Sequence, residues 1–290
     1  MELVPQEEDL PSNHMQSLEE LREADATGRI GEIYGELRRL CGVPVVALIF
    51  RHLATHAGLL DDIWLAVRPL LASGALQDAA ATVVNDNMPP GLIPDIDANL
   101  RCAIGLAGDG VYPVFNTLDA YNRANAINLL IMLSLLRRLR LGHSDLRPQI
   151  PARAWHAPVP IAGPLLPMTN PSDMPAHIRG LVNDFGFGDR TQLDPVVPSL
   201  LRHLCAVPGL LAVLHVTPVP RFKDGTLGHA VAPLSAGMTR QASSLAPYIA
   251  PLPLLAATPA VQRTIAEFTT GWIPLMTVIG FALRRALVNI

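Results

Sequence analysis

The chain is short of charge, lysine, cysteine and aromatic residues, and each shortage closes off a class of function. Only 16% of its 290 residues are charged, and the formal net charge is −3 with a pI near 6.3. That balance gives no electrostatic case for nucleic acid or for an anionic membrane surface, both of which call for a basic patch. A single lysine, Lys223, stands against 21 arginines, a bias expected of a GC-rich bacterial genome. The 3 cysteines, Cys41, Cys102 and Cys205, are odd in number and far apart. They offer neither a disulfide framework nor zinc-ligand spacing, and a reducing cytoplasm is the expected location. Residues 1–20 are acidic and polar and lack the basic-then-apolar layout of a signal peptide. The longest apolar stretches, 126–136 and 273–283, run to about 11 residues. A bilayer span needs roughly 20, so both are expected to be buried core helices. Gly-rich phosphate loops, His-Glu-x-x-His helices and nucleophile elbows are missing too. Phosphoryl, hydride or zinc chemistry therefore has no support, and neither a cofactor nor a metal is expected.

What the chain does contain is a copy of itself. Half of its residues are hydrophobic, enough for an ordered core. Residues 51–60 read RHLATHAGLL and residues 202–211 read RHLCAVPGLL, a step of 151. The match extends back to Pro44-Val45-Val46 and Pro195-Val196-Val197. At a step of 147, Leu136-Arg137-Arg138 is echoed by Leu283-Arg284-Arg285, each closing a long apolar helix. Two motifs in one order at nearly one step mark a fused tandem of units of about 130 residues.

The spacing of apolar residues is helical nearly throughout, without sustained alternation of the β type. Helices are predicted over 18–40 with a glycine break near 28–31, over 44–56 and 59–72 separated at Gly58, and over 111–140 as one or two helices with Asn116 a cap before Thr117. The second half follows with 174–187, 195–206, 209–216 and 258–290. Residues 146–175 hold 8 prolines and read as an ordered linker. The expected fold is all-α: two tandem related helical repeats packed as a pseudo-dimer, spanning 1–147 and 176–290 and joined by a Pro-rich linker at 148–175.

Two units that each carry an apolar helix should pack together and shelter a cavity between them. Positions where the copies differ in polarity are then informative. Ala47-Leu48-Ile49 faces Pro198-Ser199-Leu200, and Asn125 and Asn128 face Trp272 and Leu275. Arg51 and Arg202, with His52 and His203, recur in both copies. They are either scaffold, satisfying helix carbonyls or a linker carboxylate, or a guanidinium fork for a substrate carboxylate. Asn122 and Asn125, ahead of an apolar helix, either cap it or orient a water or leaving group. Tyr34 and Tyr121 read first as core. Asp61, Asp62 and Asp119 read as solvated helix faces, and Asp189 and Asp194 as turn residues.

At GVPVVALIFRHLATHAGLL, YNRANAINLL and VVPSLLRHLCAVPGLL the sequence resembles the group I D,L-2-haloacid dehalogenases, in the same order over most of the chain. The resemblance implies a tandem all-α fold, no metal or organic cofactor, and a cavity between the repeats. There an aspartate and an asparagine hold the water that displaces halide from a 2-haloacid, without a covalent enzyme ester. Carried over, the asparagine falls on Asn125, the apolar wall on Val45 and Leu48, and the serine beside the catalytic aspartate on Ser199. The aspartate itself falls on Leu200. Pro208 and Leu211 pin that alignment without a gap, so Asp194, six residues early, does not slide into place.

A leucine cannot take a proton from water, and a positioned base contributes about 10²–10⁴-fold. The expectation is therefore an enzyme that displaces an anionic leaving group, sulfate or halide, without hydrolysis. The nucleophile would come from the substrate, as in aziridine closure in secondary metabolism. The alternatives are a hydrolytic 2-haloacid dehalogenase using another base (Asp194, Asp189 or His203) and a non-catalytic ligand-binding protein. Asn125 is the expected catalytic residue. Val45, Leu48, Arg51, Tyr121, Asn122, Ser199, Leu200, Arg202 and Trp272 are expected around an anionic small-molecule substrate. A homodimer is expected, with neither nucleic acid nor membrane as partner.

Overall fold

A computed structural model describes residues 18–142, 148–151, 154–185 and 197–287. Every regular element among them is helical and none is a strand, as an all-α fold requires. The first part holds α1 (Gly28–Cys41), α2 (Leu48–Leu53), α3 (Leu59–Ala72), α4 (Ala75–Asn87), α5 (Ala98–Ala103) and the 30-residue α6 (Val111–Arg140). After the proline-rich segment come α7 (Ala176–Asn183), α8 (Ser199–Leu204), α9 (Pro208–Val216), α10 (Pro218–Lys223), α11 (Thr226–Leu245), α12 (Pro253–Ala256) and α13 (Pro259–Glu267). A π-helical turn, Phe268–Trp272, joins α13 to α14 (Ile273–Ala286).

α6 is the axis on which the rest is assembled. Its most extensive contact is with α14, followed by α11 and α4, and it also touches α8 and α13. The reason lies in its sequence: Leu129, Leu130, Ile131, Met132 and Leu135 are fully buried, so it is apolar around most of its circumference. Asn116 is not the cap the sequence suggested. It lies inside this one continuous helix and donates from Nδ2 to the Pro164 carbonyl at 3.1 Å. Asn122 and Asn125 likewise lie mid-helix rather than ahead of one, so neither caps anything.

The span from Pro259 to Ala286 is long and apolar enough to cross a membrane by composition, but 72% of its most apolar window is buried inside the fold. It packs on α6 as a core helix.

The N-terminal helix is shorter than its periodicity predicts. α1 begins only at Gly28, and residues 18–25 instead form a strap across α2. Tyr34 Oη donates to the Leu21 carbonyl at 3.0 Å, the Leu21 amide donates to Arg51 O at 3.0 Å, and Glu23 accepts from the Val46 amide at 2.8 Å. α2 likewise starts at Leu48 rather than at Pro44, because proline lacks a donor and holds its predecessor extended. Among the described residues of the predicted helices over 174–187 and 195–206, α7 and α8 are the helical parts. The residues 186–196 between them, with Asp189 and Asp194, lie outside the described residues.

The proline-rich segment is ordered where it is described, and two glycines make that possible. Gly42 closes α1 at φ 62°, and a Cβ there would stand 2.7 Å from Pro158 O. Gly74, at φ 76°, lies against the Trp155 indole, 2.1 Å from where its Cβ would be. Any side chain at either position would be both strained and in collision. From there the segment follows α6 backwards. Arg123 holds Val159 O at 3.0 Å, Thr117 Oγ1 accepts from the Leu166 amide at 2.9 Å, and the Thr169 amide reaches Arg202 O at 3.1 Å.

Candidate active site

The first turns of α2 and α8 meet the middle of α6 and the π-turn region around a cavity of about 50 Å³. Ala47, Leu48 and Ile49 come from the start of α2, and Pro198, Ser199 and Leu200 from the start of α8. α6 contributes Tyr121, Asn125 and Asn128, spaced to share one face. Phe268, Trp272 and Met276 repeat at every fourth residue on the opposing element, with Ile273 beside them. The π turn sits where Phe268 and Trp272 enter the cavity; such turns are frequent at functional sites.

Six of the residues singled out in the sequence therefore share one space: Leu48, Tyr121, Asn125, Ser199, Leu200 and Trp272. Val45 opens instead on a smaller neighbouring pocket of about 10 Å³, which shares Ala47 and Asn128 with the first. Small walls on α2 do not make a large cavity, because Phe268, Trp272 and Met276 fill the room from the other side. Phe268 and Met276 escaped the sequence reading, and Asn128, singled out there beside Asn125, was not counted among the expected site residues. Their signal was present in the fourfold spacing around Trp272 and in the 147-residue match between Asn128 and Leu275.

Neither Arg51 nor Arg202 is among the described residues that line the cavity. Arg51 donates from Nε to Glu20 at 2.5 Å and from Nη1 to the Val46 carbonyl, and Arg202 approaches the same carboxylate at 3.8 Å. Arg202 also donates to Thr169 O at 3.0 Å. The two arginines related by the 151-residue step thus share one internal carboxylate from the N-terminal strap.

Asn122 lies in the wall behind the cavity. Its Oδ1 is buried without a hydrogen-bond partner among the described residues, and it occupies the space that a Cβ on Gly280 would need, 2.2 Å away. Its other side borders a larger groove of about 620 Å³ between α4, α6 and the proline-rich segment. That groove is open, and its main cations are engaged: Arg284 with Asp119 at 2.8 Å, Arg123 with the Gly42 and Val159 carbonyls. The smaller cavity, bordered by four elements and by most of the residues singled out in the sequence, is the candidate reaction chamber.

The polar groups of the chamber are neutral. No hydrogen bond to protein ties down the Asn125 or Asn128 amide among the described residues, and both side chains line the space. No aspartate or glutamate lies among its described lining residues. Tyr121 is buried, which pushes its phenol up to about 12, against the pull of nearby Arg51 and of Ser199. The Ser199 hydroxyl stands beside it without a partner of full hydrogen-bond geometry. Behind the tyrosine, His203 Nε2 lies 3.1 Å from Tyr121 Oη, and Nδ1 lies 2.6 Å from the Leu166 carbonyl. Burial, with Arg202 and Arg51 nearby, holds His203 below the usual imidazole range, so it is neutral at pH 7. Among the described residues no cluster of three or more His, Cys, Asp or Glu could hold a metal ion.

The fold has solved counterparts. A D-2-haloacid dehalogenase mutant superposes with a TM-score of 0.73 at 17% identity, covering 93% of this chain and 96% of the other. The complex of a mutant with D-2-CPA gives 0.71 at 16% identity, over 95% of this chain and 98% of that one. The complex of a D-2-haloacid dehalogenase with L-LA gives 0.65 at 15%, over 93% and 94%. No family model matches the sequence. No curated protein matches it either. At this level of identity the shared feature is the haloacid dehalogenase fold.

Proposed function

We propose that this chain is an enzyme of the haloacid dehalogenase fold that expels an anionic leaving group, sulfate or halide, from saturated carbon by attack of a nucleophile carried on the substrate itself. One observation carries the reading: the chamber offers unpaired amides and no carboxylate among its described lining residues. Hydrolytic displacement needs a base to draw the proton from water. An amine in its neutral form is a much stronger nucleophile than water and demands less of a base, so holding it in line behind the leaving group lets effective molarity supply much of the rate. The Asn125 and Asn128 amides line the chamber and can solvate the departing anion. Closure of a three-membered aziridine ring is the reaction of this type that the sequence suggested.

The order of elements supports a tandem pseudo-dimer behind this site. α2 and α8 begin at residues 48 and 199, α4 and α11 at 75 and 226, and α6 and α13 at 111 and 259, always in the same sequence. The sequence resemblance assigns the dehalogenase aspartate's position to Leu200, and the burial of that leucine on the chamber wall is consistent with this register. The competing reading is hydrolytic cleavage of a 2-haloacid, favoured by the D-2-haloacid dehalogenases that share the fold. It calls for a base, and His203 reaches the chamber only through Tyr121.

Incubation with 2-aminoethyl hydrogen sulfate tests the proposal. Release of sulfate with formation of aziridine is expected, with no chloride released above background from either enantiomer of 2-chloropropionate. Prompt chloride release would overturn the non-hydrolytic reading. Asn125→Ala is expected to lower turnover by about 10²–10³-fold, the usual cost of one donor to a developing anion; unchanged turnover would remove Asn125 from the site.

A further inference from the structure

We propose that Tyr121 and His203 form a proton-accepting pair in the chamber wall, Tyr121 taking the proton of the substrate's nucleophile while passing its own to His203. The substrate in this inference rests on the displacement reading above; the geometry does not.

The direction of the relay follows from hydrogen-bond chemistry. A backbone carbonyl can only accept, so the 2.6 Å contact with Leu166 O fixes the proton of the neutral imidazole on Nδ1. Nε2 is then the lone-pair acceptor, and the 3.1 Å contact with Tyr121 must run from the phenol to the imidazole. Tyr121 lines the chamber while His203 is buried behind it, so the phenol oxygen is the point at which a cavity proton can enter. Two cations face the pair and stabilise negative charge on the phenol oxygen: Arg51 from α2 and Arg202 from α8. Glu20 of the N-terminal strap offsets both.

The other side of the chamber shows that packing alone does not demand this pair. His52, 151 residues before His203, has its Nδ1 set by a backbone carbonyl in the same way, Glu19 O at 2.9 Å. The aromatic residue 147 positions after Tyr121 is Phe268, which also lines the chamber but has no hydroxyl. The hydroxyl is present on one side only, the side that also carries Asn125.

With an amino sulfate ester, the amine lone pair forms the N–C bond as the C–O bond to sulfate breaks, and the bonding electrons leave with sulfate. The proton shed by nitrogen passes to Tyr121 Oη, and that of Oη passes to His203 Nε2. The products are neutral aziridine, sulfate dianion and an imidazolium, which returns its proton to water after release.

The test compares sulfate release from 2-aminoethyl hydrogen sulfate by the wild type, Tyr121→Phe and His203→Gln. Both variants are expected to lose about 10²-fold or more in kcat, the scale of one positioned base, with KM within about threefold. Phenylalanine at 121 copies the side chain already accommodated at 268, so the fold is expected to hold, and thermal melting checks this. In the wild type, kcat is expected to fall in acid as His203 gains its proton, and His203→Gln should flatten that limb. Nitrogen NMR of the full chain is expected to show His203 as the Nδ1–H tautomer. Full kcat in a folded Tyr121→Phe variant would overturn the pair, and so would an Nε2–H tautomer. If the wild type releases no sulfate at all, the displacement reading fails on its own, and the tautomer then decides the pair.

Discussion

Two walls face each other across the chamber, and their difference is instructive. The α6 wall presents Tyr121, Asn125 and Asn128; the α13–α14 wall presents Phe268, Trp272 and Met276. Both use successive helical turns, and 147 residues separate Tyr121 from Phe268 and Asn125 from Trp272. One wall presents groups that donate and accept hydrogen bonds, and the other is mainly apolar bulk. An asymmetric small molecule needs each of its atoms recognised once, so a chamber built from similar elements gains function only where its sides diverge. Beneath the walls the opposite holds. Arg51 and Arg202, and His52 and His203, are alike on both sides and are tied to backbone carbonyls and to Glu20.

The largest expected break in this comparison comes from Glu20. Glu20→Ala strands two buried guanidinium groups at once and is expected to cost about 3–5 kcal/mol in denaturant unfolding, the range for a buried ion pair that loses one partner. A loss well under 1 kcal/mol would mean that the arginines are not scaffold and are free to bind an anion.

A smaller effect is expected where the two long helical elements differ in bulk. α14 has Gly280 against Asn122, and the residue 147 positions earlier on α6 is Leu133. Gly280→Ala places a Cβ 2.2 Å from Asn122 Oδ1 and forces that amide to move. A destabilisation of about 1–3 kcal/mol is expected from overpacking, and a gain in melting temperature would show that the wall has slack.

The smallest concerns the histidines, where the two sides should agree. Burial lowers both His52 and His203 below the ordinary value of 6.5. The unfolded chain therefore takes up protons first as pH falls, so this contribution to stability is complete above 6.5 and is lost on acidification towards the folded values. Melting temperatures between pH 7.5 and 5.5 should fall less in His203→Gln than in the wild type. An equal fall would mean that His203 is not buried as a neutral base.

Much of the architecture was legible because it depends on local periodicity. α3 begins and ends where Gly58 and the apolar spacing put it, and α9 differs from its predicted span by one residue. α4 and α11 were missed, since runs such as ALQDAAATVV show small residues where a strong apolar stripe would be sought. A clue was available: each follows a glycine, Gly74 and Gly225, in the left-handed conformation and 151 residues apart.

The sequence by itself determined the helical class, the repeated words and the run of asparagines around Asn125, because these are properties of composition and of spacing along one chain. Only the tertiary structure decided which residues share the chamber. It turned Arg51 and Arg202 towards Glu20, closed the space with Phe268 and Met276, and set His203 behind Tyr121. The reason is that helix rotation, the path of the proline-rich segment and the fit of Gly280 to Asn122 are settled by contacts between residues about thirty to more than a hundred and fifty positions apart, which no local pattern encodes.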